Sequence, residues 1–99
     1  MINWNIYEIT SQTQKLHGVK FRGRIRKFAI IQNINVITEN ASDKDNVVRF
    51  AIEESQIAGP FIEFINSIIP DCQVDLVANH VNNPVLSKLK INIADRYEI

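Results

Sequence analysis

The sequence predicts an α+β fold in which two helices cover one face of an antiparallel sheet. Two kinds of pattern support this prediction. Several short segments alternate between apolar and polar residues, as half-buried strands do, and two segments repeat apolar residues at helical spacing. The chain has 99 residues, 45% of them apolar, which is enough for one core but too few for two. We therefore expect one domain over residues 1–99.

The first half of the chain predicts a strand, a helix and a second strand. Residues 4–9 are rich in aromatic and β-branched residues, which favour strands. A helix is expected from Arg22, and Asn33 should end it because Asn tolerates the left-handed conformation that is common at helix ends. Residues 34–38 are β-formers and predict the second strand. The apolar stripe of the helix is Phe21, Ile25, Phe28 and Ala29.

The second half predicts a hairpin, a second helix and a further strand. Residues 43–46 form a turn-type cluster, and residues 47–52 alternate after it as a third strand. Gly59 and Pro60 suit the first turn of a helix, and Pro70 should end it. Its predicted apolar stripe is Ile57, Phe61, Phe64, Ile65 and Ile68. Two further strand candidates are residues 73–81 and 88–93.

The order of these elements is β-α-β-β-α-β, with an extra strand or strand extension at the end. It is the order of ferredoxin-like split β-α-β domains. A helix over residues 22–32 travels about 15 Å, and a strand over residues 34–39 travels about 20 Å back. Arg22 and Asn40 should therefore lie at the same end of the molecule.

The positive charges are concentrated in one segment. Residues 15–27 carry six of the eleven Lys and Arg residues and no acid, so the remainder holds five positive charges against eleven negative ones. Non-specific binding to nucleic acid usually needs a broad basic surface. A compact basic segment on an acidic body predicts a small anion as the ligand, and no nucleic acid as a partner.

The sequence also predicts the protein's location and the groups that it does not bind. No segment has the unbroken apolar length of a membrane span, and the N-terminus lacks the features of a signal peptide. We expect a cytoplasmic location and no membrane partner. Cys72 is the only cysteine, and His17 and His80 do not show metal-ligand spacing, so no metal and no cofactor are expected.

The segment that leads into the first helix predicts an anion site. A glycine-containing loop that ends at a helix start presents unpaired backbone N–H groups and the positive end of the helix dipole. Arg22 can hold an oxyanion through paired donors, and the neutral amide of Asn40 can orient a water. The loop residues are Lys15, Leu16, His17, Gly18, Val19 and Lys20.

Two motifs in the chain resemble those of acylphosphatases. The family's phosphate-binding loop ends in Gly-Val-x-Phe-Arg, which matches residues 18–22 without a gap. The family also has an Asn shortly after a strand, and Asn40 stands at the matching distance from Arg22. The resemblance covers nearly the whole chain, although it is thin outside residues 18–22.

The resemblance implies hydrolysis of an acyl phosphate to a carboxylate and inorganic phosphate, without metal or cofactor. Arg22 and the N–H groups of the loop would hold the phosphoryl oxygens, and Asn40 would place the attacking water. The implied partners are the small-molecule acyl phosphate and inorganic phosphate, and we expect a monomer.

The chain departs from the family pattern at several positions, which keeps alternatives open. Gln14 replaces the first loop glycine, which would strain the loop if that position needs a positive φ. Ala41 replaces a small hydroxyl residue. Asn33 and Asn46 stand at family glycines, and we expect both to take the left-handed conformation. One alternative is a catalytically weak or inactive acylphosphatase-like domain that binds an anion or a protein partner. The ferredoxin-like order of elements leaves a second alternative, an RNA-recognition module.

Overall fold

The computed structural model of the chain describes residues 2–17, 20–82, 84 and 86. Within them the chain forms four strands and two helices. In chain order these are β1 (Trp4–Thr10), α1 (Phe21–Gln32), β2 (Val36–Asn40), β3 (Val48–Glu53), α2 (Gly59–Ile68) and β4 (Gln73–Val81). The strand predicted at residues 88–93 lies outside the described residues.

The four strands form one antiparallel sheet in the spatial order β2-β3-β1-β4. Strands β1 and β2 both run antiparallel to β3, so they are parallel to each other and their C-terminal ends lie at the same end of the sheet. Helix α1 follows β1 in the chain and leads back to the start of β2, so the N-terminus of α1 lies at this same end. We call this the loop end of the molecule. The predicted α+β fold is confirmed, and the sheet is compatible with the ferredoxin-like arrangement.

Both helices pack on the same face of the sheet. The largest cluster of buried side chains draws on both helices, on β1 and on β3. Aromatic rings connect the layers. Phe50 stacks on Tyr7 with the ring centroids 5.0 Å apart, and on Phe61 of α2 at 5.6 Å. Phe61 in turn meets Phe28 of α1 edge-on at 5.3 Å. The predicted apolar face of α1 is confirmed.

Strand β2 begins two residues later than predicted, at Val36 rather than at residue 34. Asn33 ends α1 in the left-handed conformation, with φ 57°, as predicted. The N–H of Ile34 still donates to the carbonyl of Ala29, at 2.9 Å. The chain therefore needs two more residues to leave the helix cap before it can join the sheet.

The predicted apolar stripe of α2 is wrong at Ile57. Phe61 and Ile65 are fully buried, but Ile57 is 77% exposed. Helix α2 begins only at Gly59, so Ile57 precedes the helix and is not held in the register that would turn it toward the core.

The face of the sheet away from the helices holds a buried charge, Arg49 on β3, which is 0% exposed. Its guanidinium donates to Glu8 at 2.9 Å, to Asp43 at 2.7 Å and to the carbonyl of Leu86 at 2.8 Å. Lys44 also pairs with Glu8, at 3.2 Å. Burial acts to lower the pKa of Arg49, but its bonds to Asp43 and Glu8 outweigh burial and raise that pKa. The bond from Arg49 lowers the pKa of Asp43.

Replacing Arg49 with Met should lower the free energy of unfolding by about 3–5 kcal/mol, because Glu8 loses its buried partner. The double variant Arg49→Met with Glu8→Leu should recover most of this loss, since it leaves no unpaired charge on β1. Urea unfolding of each variant measures the difference. Lys44→Met is the control and should cost less than about 1 kcal/mol, because Lys44 is exposed. An Arg49→Met variant as stable as Lys44→Met would contradict the structural role of Arg49.

Candidate functional site

Helix α1 begins directly after the loop that follows β1. Lys20 takes the left-handed conformation, with φ 59°, and its side chain does not cap the helix. The first turn holds no acidic residue. Within the described ranges, the first N–H groups of α1 and the positive end of its dipole therefore meet no carboxylate. The motif residues Gly18 and Val19 lie outside the described residues.

Six positive side chains of residues 15–27 form no ion pair in the part of the chain that the structure describes. The ion pairs found there use Lys44, Arg49 and His80 as cations. The six are Lys15, Lys20, Arg22, Arg24, Arg26 and Lys27. Arg22 and Arg26 stand four residues apart on one helix, where like charges repel, and a cation near a helix N-terminus is also unfavourable. A bound anion would relieve both repulsions.

Three of these cations line one cavity at the loop end. Its volume is about 400 Å³, and the described residues that line it are Leu16, Lys20, Phe21, Arg22, Gly23 and Arg26. Arg22 is half-buried, whereas Lys20 and Arg26 are exposed. Leu16 and Phe21 are buried and form the apolar part of the wall. Because no carboxylate is among these lining residues, the cavity is suited to an anion.

Asn40 ends β2, so the sheet topology puts it at the loop end. Its Oδ1 atom is buried without a hydrogen-bond partner among the described residues, although buried polar atoms are nearly always paired. The N–H of Ala41 donates to the carbonyl of Val47 at 2.9 Å, and Nε2 of His17 donates to the same carbonyl at 2.6 Å. This shared acceptor ties the loop to the end of β2. Asn40 is not among the described residues that line the Arg22 cavity.

The side chain of Asn46 holds the loop from the turn between β2 and β3. Its Oδ1 accepts the N–H of Leu16 at 2.7 Å, and its Nδ2 donates to the carbonyls of Gln14 at 2.8 Å and Ser11 at 3.3 Å. Asn46 has a positive φ of 53°, as predicted. Its anchoring role has no sequence signal, because Leu16 lies 30 residues away in the chain.

The loop offers fewer free N–H groups than the sequence predicts. The N–H of Leu16 is bound to Asn46, and the N–H of Gln14 donates to Oγ of Ser11 at 3.0 Å. Gln14 is not among the described non-glycine residues with positive φ, so the strain expected there does not arise. The predicted loop residues whose N–H groups have no partner within the described ranges are Lys15, His17 and Lys20.

The start of the loop already binds an anion of the protein itself, the carboxylate of Asp71. It accepts the N–H groups of Gln12 and Thr13 at 3.1 and 3.2 Å, and the hydroxyl of Ser11 at 3.0 Å. Burial acts to raise the pKa of Asp71, but these hydrogen bonds outweigh burial and lower it. The ionised carboxylate therefore fixes the chain where it leaves β1.

Lys15 and His17 are not among the described residues that line the Arg22 cavity. They line a neighbouring cavity of about 360 Å³ together with Gln14 and Asn46. Lys15 is exposed, and His17 is half-buried with its ring held by Val47. The structure thus divides the predicted loop residues between two cavities.

Other kinds of site find no support in the described residues. They include no group of three or more His, Cys, Asp or Glu side chains placed to hold a metal ion, and no helix long and apolar enough to cross a membrane. Burial, followed by the nearby charge of Asp71, raises the pKa of Cys72 to about 11, which keeps this thiol protonated. No protein-family model, curated protein or solved structure matches the chain.

Replacing Asn46 with Gly should lower the free energy of unfolding by about 1–3 kcal/mol, because the N–H of Leu16 loses its acceptor in a buried place. Glycine keeps the positive φ of this position, so the backbone of the folded state is not strained. Hydrogen exchange at the Leu16 amide should become faster. Urea unfolding and amide exchange measure the two effects.

Asn33→Gly is the matched control for this variant. Asn33 also has a positive φ, but its exposed side chain makes no hydrogen bond in the described part of the chain. We expect its substitution to change stability by less than about 0.5 kcal/mol. Equal effects at Asn46 and Asn33 would show that the Asn46 side chain does not hold the loop.

Proposed function

We propose that the chain is an acylphosphatase-like enzyme that hydrolyses acyl phosphates to a carboxylate and inorganic phosphate. The observation that carries this proposal is the cavity at the start of α1. There Lys20, Arg22 and Arg26 converge without ion-pair partners in the described residues, beside uncapped N–H groups. The resemblance at residues 18–22 identifies the anion of this site as a phosphoryl group.

In the proposed reaction, Arg22 and the first N–H groups of α1 hold the phosphoryl oxygens. The guanidinium fork pairs with two oxygens, and the helix dipole stabilises the negative charge on them in the transition state. A water attacks phosphorus, the bond from phosphorus to the acyl oxygen breaks, and the carboxylate leaves with the electron pair. The proton of the water passes to a phosphate oxygen, so the reaction requires no side-chain base.

We propose that Asn40 orients the attacking water. Its amide lies at the loop end, and its buried Oδ1 has an acceptor site that no described residue fills. Buried polar atoms of this kind commonly bind an ordered water. The backbone N–H of Ala41 and the ring Nε2 of His17 both donate to the carbonyl of Val47, which fixes the position of this amide relative to the loop.

The proposal extends to the fold, which we assign to the ferredoxin-like class. The strand order β2-β3-β1-β4 and the packing of both helices on one face support this assignment. The RNA-recognition alternative loses support, because the centre of the sheet face opposite the helices is buried. Its buried cluster consists of Ile6, Ala51, Val81 and Leu86.

One observation favours a second candidate function, in which the site binds an anion without turnover. The N–H groups of Gln14 and Leu16 are already bound inside the protein, so a ring of loop donors around the phosphoryl group is incomplete. Turnover depends on such alignment more than binding does. Measured hydrolysis separates the two functions.

Arg22→Ala should reduce hydrolysis of an aryl acyl phosphate by about 100- to 1000-fold, because a charged donor to the transition state is lost. Inorganic phosphate should also compete more weakly. Arg24→Ala is the matched control, since Arg24 is exposed on the same helix and does not line the cavity. Full activity in a folded Arg22→Ala variant would contradict the assignment. No turnover by the wild type, with phosphate still bound, would select the second candidate function.

Asn40→Ala should lower kcat on the order of 100-fold, while the Kd for inorganic phosphate changes little. The reason is that an oriented water matters for the reaction and not for phosphate binding. Asn35→Ala is the control directly before the opposite end of β2, where the side chain donates a hydrogen bond to Glu53. Equal losses in kcat and phosphate affinity would exclude the water-orienting role.

A further inference from the structure

Helix α1 has an outer face that carries positive charge and exposed aliphatic side chains together. The helix contains no acidic residue, and its buried side chains are confined to the opposite face. We define the outer face as its exposed residues Arg24, Arg26, Lys27, Ile30 and Ile31. None of its three cations has an ion-pair partner among the described residues. The charge of this face therefore favours an anionic ligand.

The apolar part of this surface lies at the end of the helix layer opposite the loop end. Ile30 and Ile31, in the last turn of α1, are 79% and 70% exposed. Ile57, directly before α2, is 77% exposed. Helices α1 and α2 pack side by side and run in opposite directions, because they follow β1 and β3, which are antiparallel. The end of α1 and the start of α2 therefore lie at the same end of the molecule, and so do the three isoleucines.

We propose that this surface docks on an anionic phospholipid membrane. Arg24, Arg26 and Lys27 would lie at the level of the lipid phosphates, and Ile30 and Ile31 would enter the boundary between headgroups and acyl chains. The proposal does not depend on the proposed enzymatic function, although Arg26 belongs both to this face and to the lining of the Arg22 cavity. It departs from the expectation of no membrane partner, since that expectation concerned spanning segments, whereas this contact needs no span.

The chemistry of the surface favours lipid over a protein partner. Protein interfaces concentrate their affinity in aromatic anchors that fill pockets. The exposed large hydrophobic residues of the described chain are all aliphatic, and none of these isoleucines lines either of the cavities described above. A fluid lipid surface requires no shape complementarity. Its anionic headgroups can lie opposite each of the cations along the helix.

Co-sedimentation of the full chain with lipid vesicles tests the proposal. The chain should bind vesicles that contain phosphatidylserine and should not bind vesicles of phosphatidylcholine alone, and added salt should weaken the binding. The double variant Arg24→Gln with Lys27→Gln should weaken it roughly 30-fold at low salt, because it removes two charges from the surface. Ile30→Ser with Ile31→Ser should weaken it at least about tenfold.

Leu76→Ser is the matched control. Leu76 is 52% exposed on β4, at the sheet edge opposite the β2 strand against which α1 packs, and its substitution should leave binding unchanged. Equal binding to both kinds of vesicle, or none, would overturn the proposal. So would unchanged binding by the isoleucine variant. A dimer that dissociates in that variant would assign the surface to a second copy of the chain, and a preference for single-stranded RNA over vesicles would assign it to nucleic acid; either result overturns lipid docking.

Discussion

The guanidinium of Arg49 is completely enclosed, and a buried charge persists only where its hydrogen bonds are satisfied. Its acceptors include Glu8 on β1, Asp43 in the turn between β2 and β3, and the carbonyl of Leu86. They come from three separate parts of the chain, so their positions are fixed together. If the turn moved away from β3, the guanidinium of Arg49 would lose its bond to Asp43 and would remain buried with one partner fewer.

The geometry of the candidate site depends on this turn. Arg49 holds the turn through Asp43, and Asn46, three residues further on, holds the loop through the N–H of Leu16. Asn40 stands where the turn begins. The loop and the proposed water-orienting amide are therefore positioned by one hairpin. The ion pairs of Arg49 contribute more to the position of the turn than to the free energy of unfolding, because an apolar replacement of a buried pair is often neutral or stabilising.

The secondary structure could be predicted because its signals are local, as the end of α1 at Asn33 illustrates. The start of β2 and the exposure of Ile57 depend on how helix ends join their neighbours, which apolar spacing does not encode. The role of Arg49 was not visible, since the alternation of residues 47–52 identifies only the face that meets the helices. Its partner Glu8 lies 41 residues away. The charged part of the site was predictable because cations close in sequence stay close on a loop and helix. The binding of the Leu16 N–H by Asn46, 30 residues away, was not predictable.

The formal net charge of the chain is zero, but the fold pairs some charged groups within the protein and leaves others without a partner among the described residues. Two carboxylates near the loop end have partners within the protein: Asp43 is bound by Arg49, and Asp71 accepts the N–H groups of Gln12 and Thr13. The cations of residues 15–27 are left to an external anion. Since Asn46 and Ser11 take two of the loop N–H groups, charge contributes more to anion affinity here than a ring of amides does. The orientation of the bound anion then depends on the planar guanidinium of Arg22 and on the first N–H groups of α1, because the helix fixes the geometry of these donors.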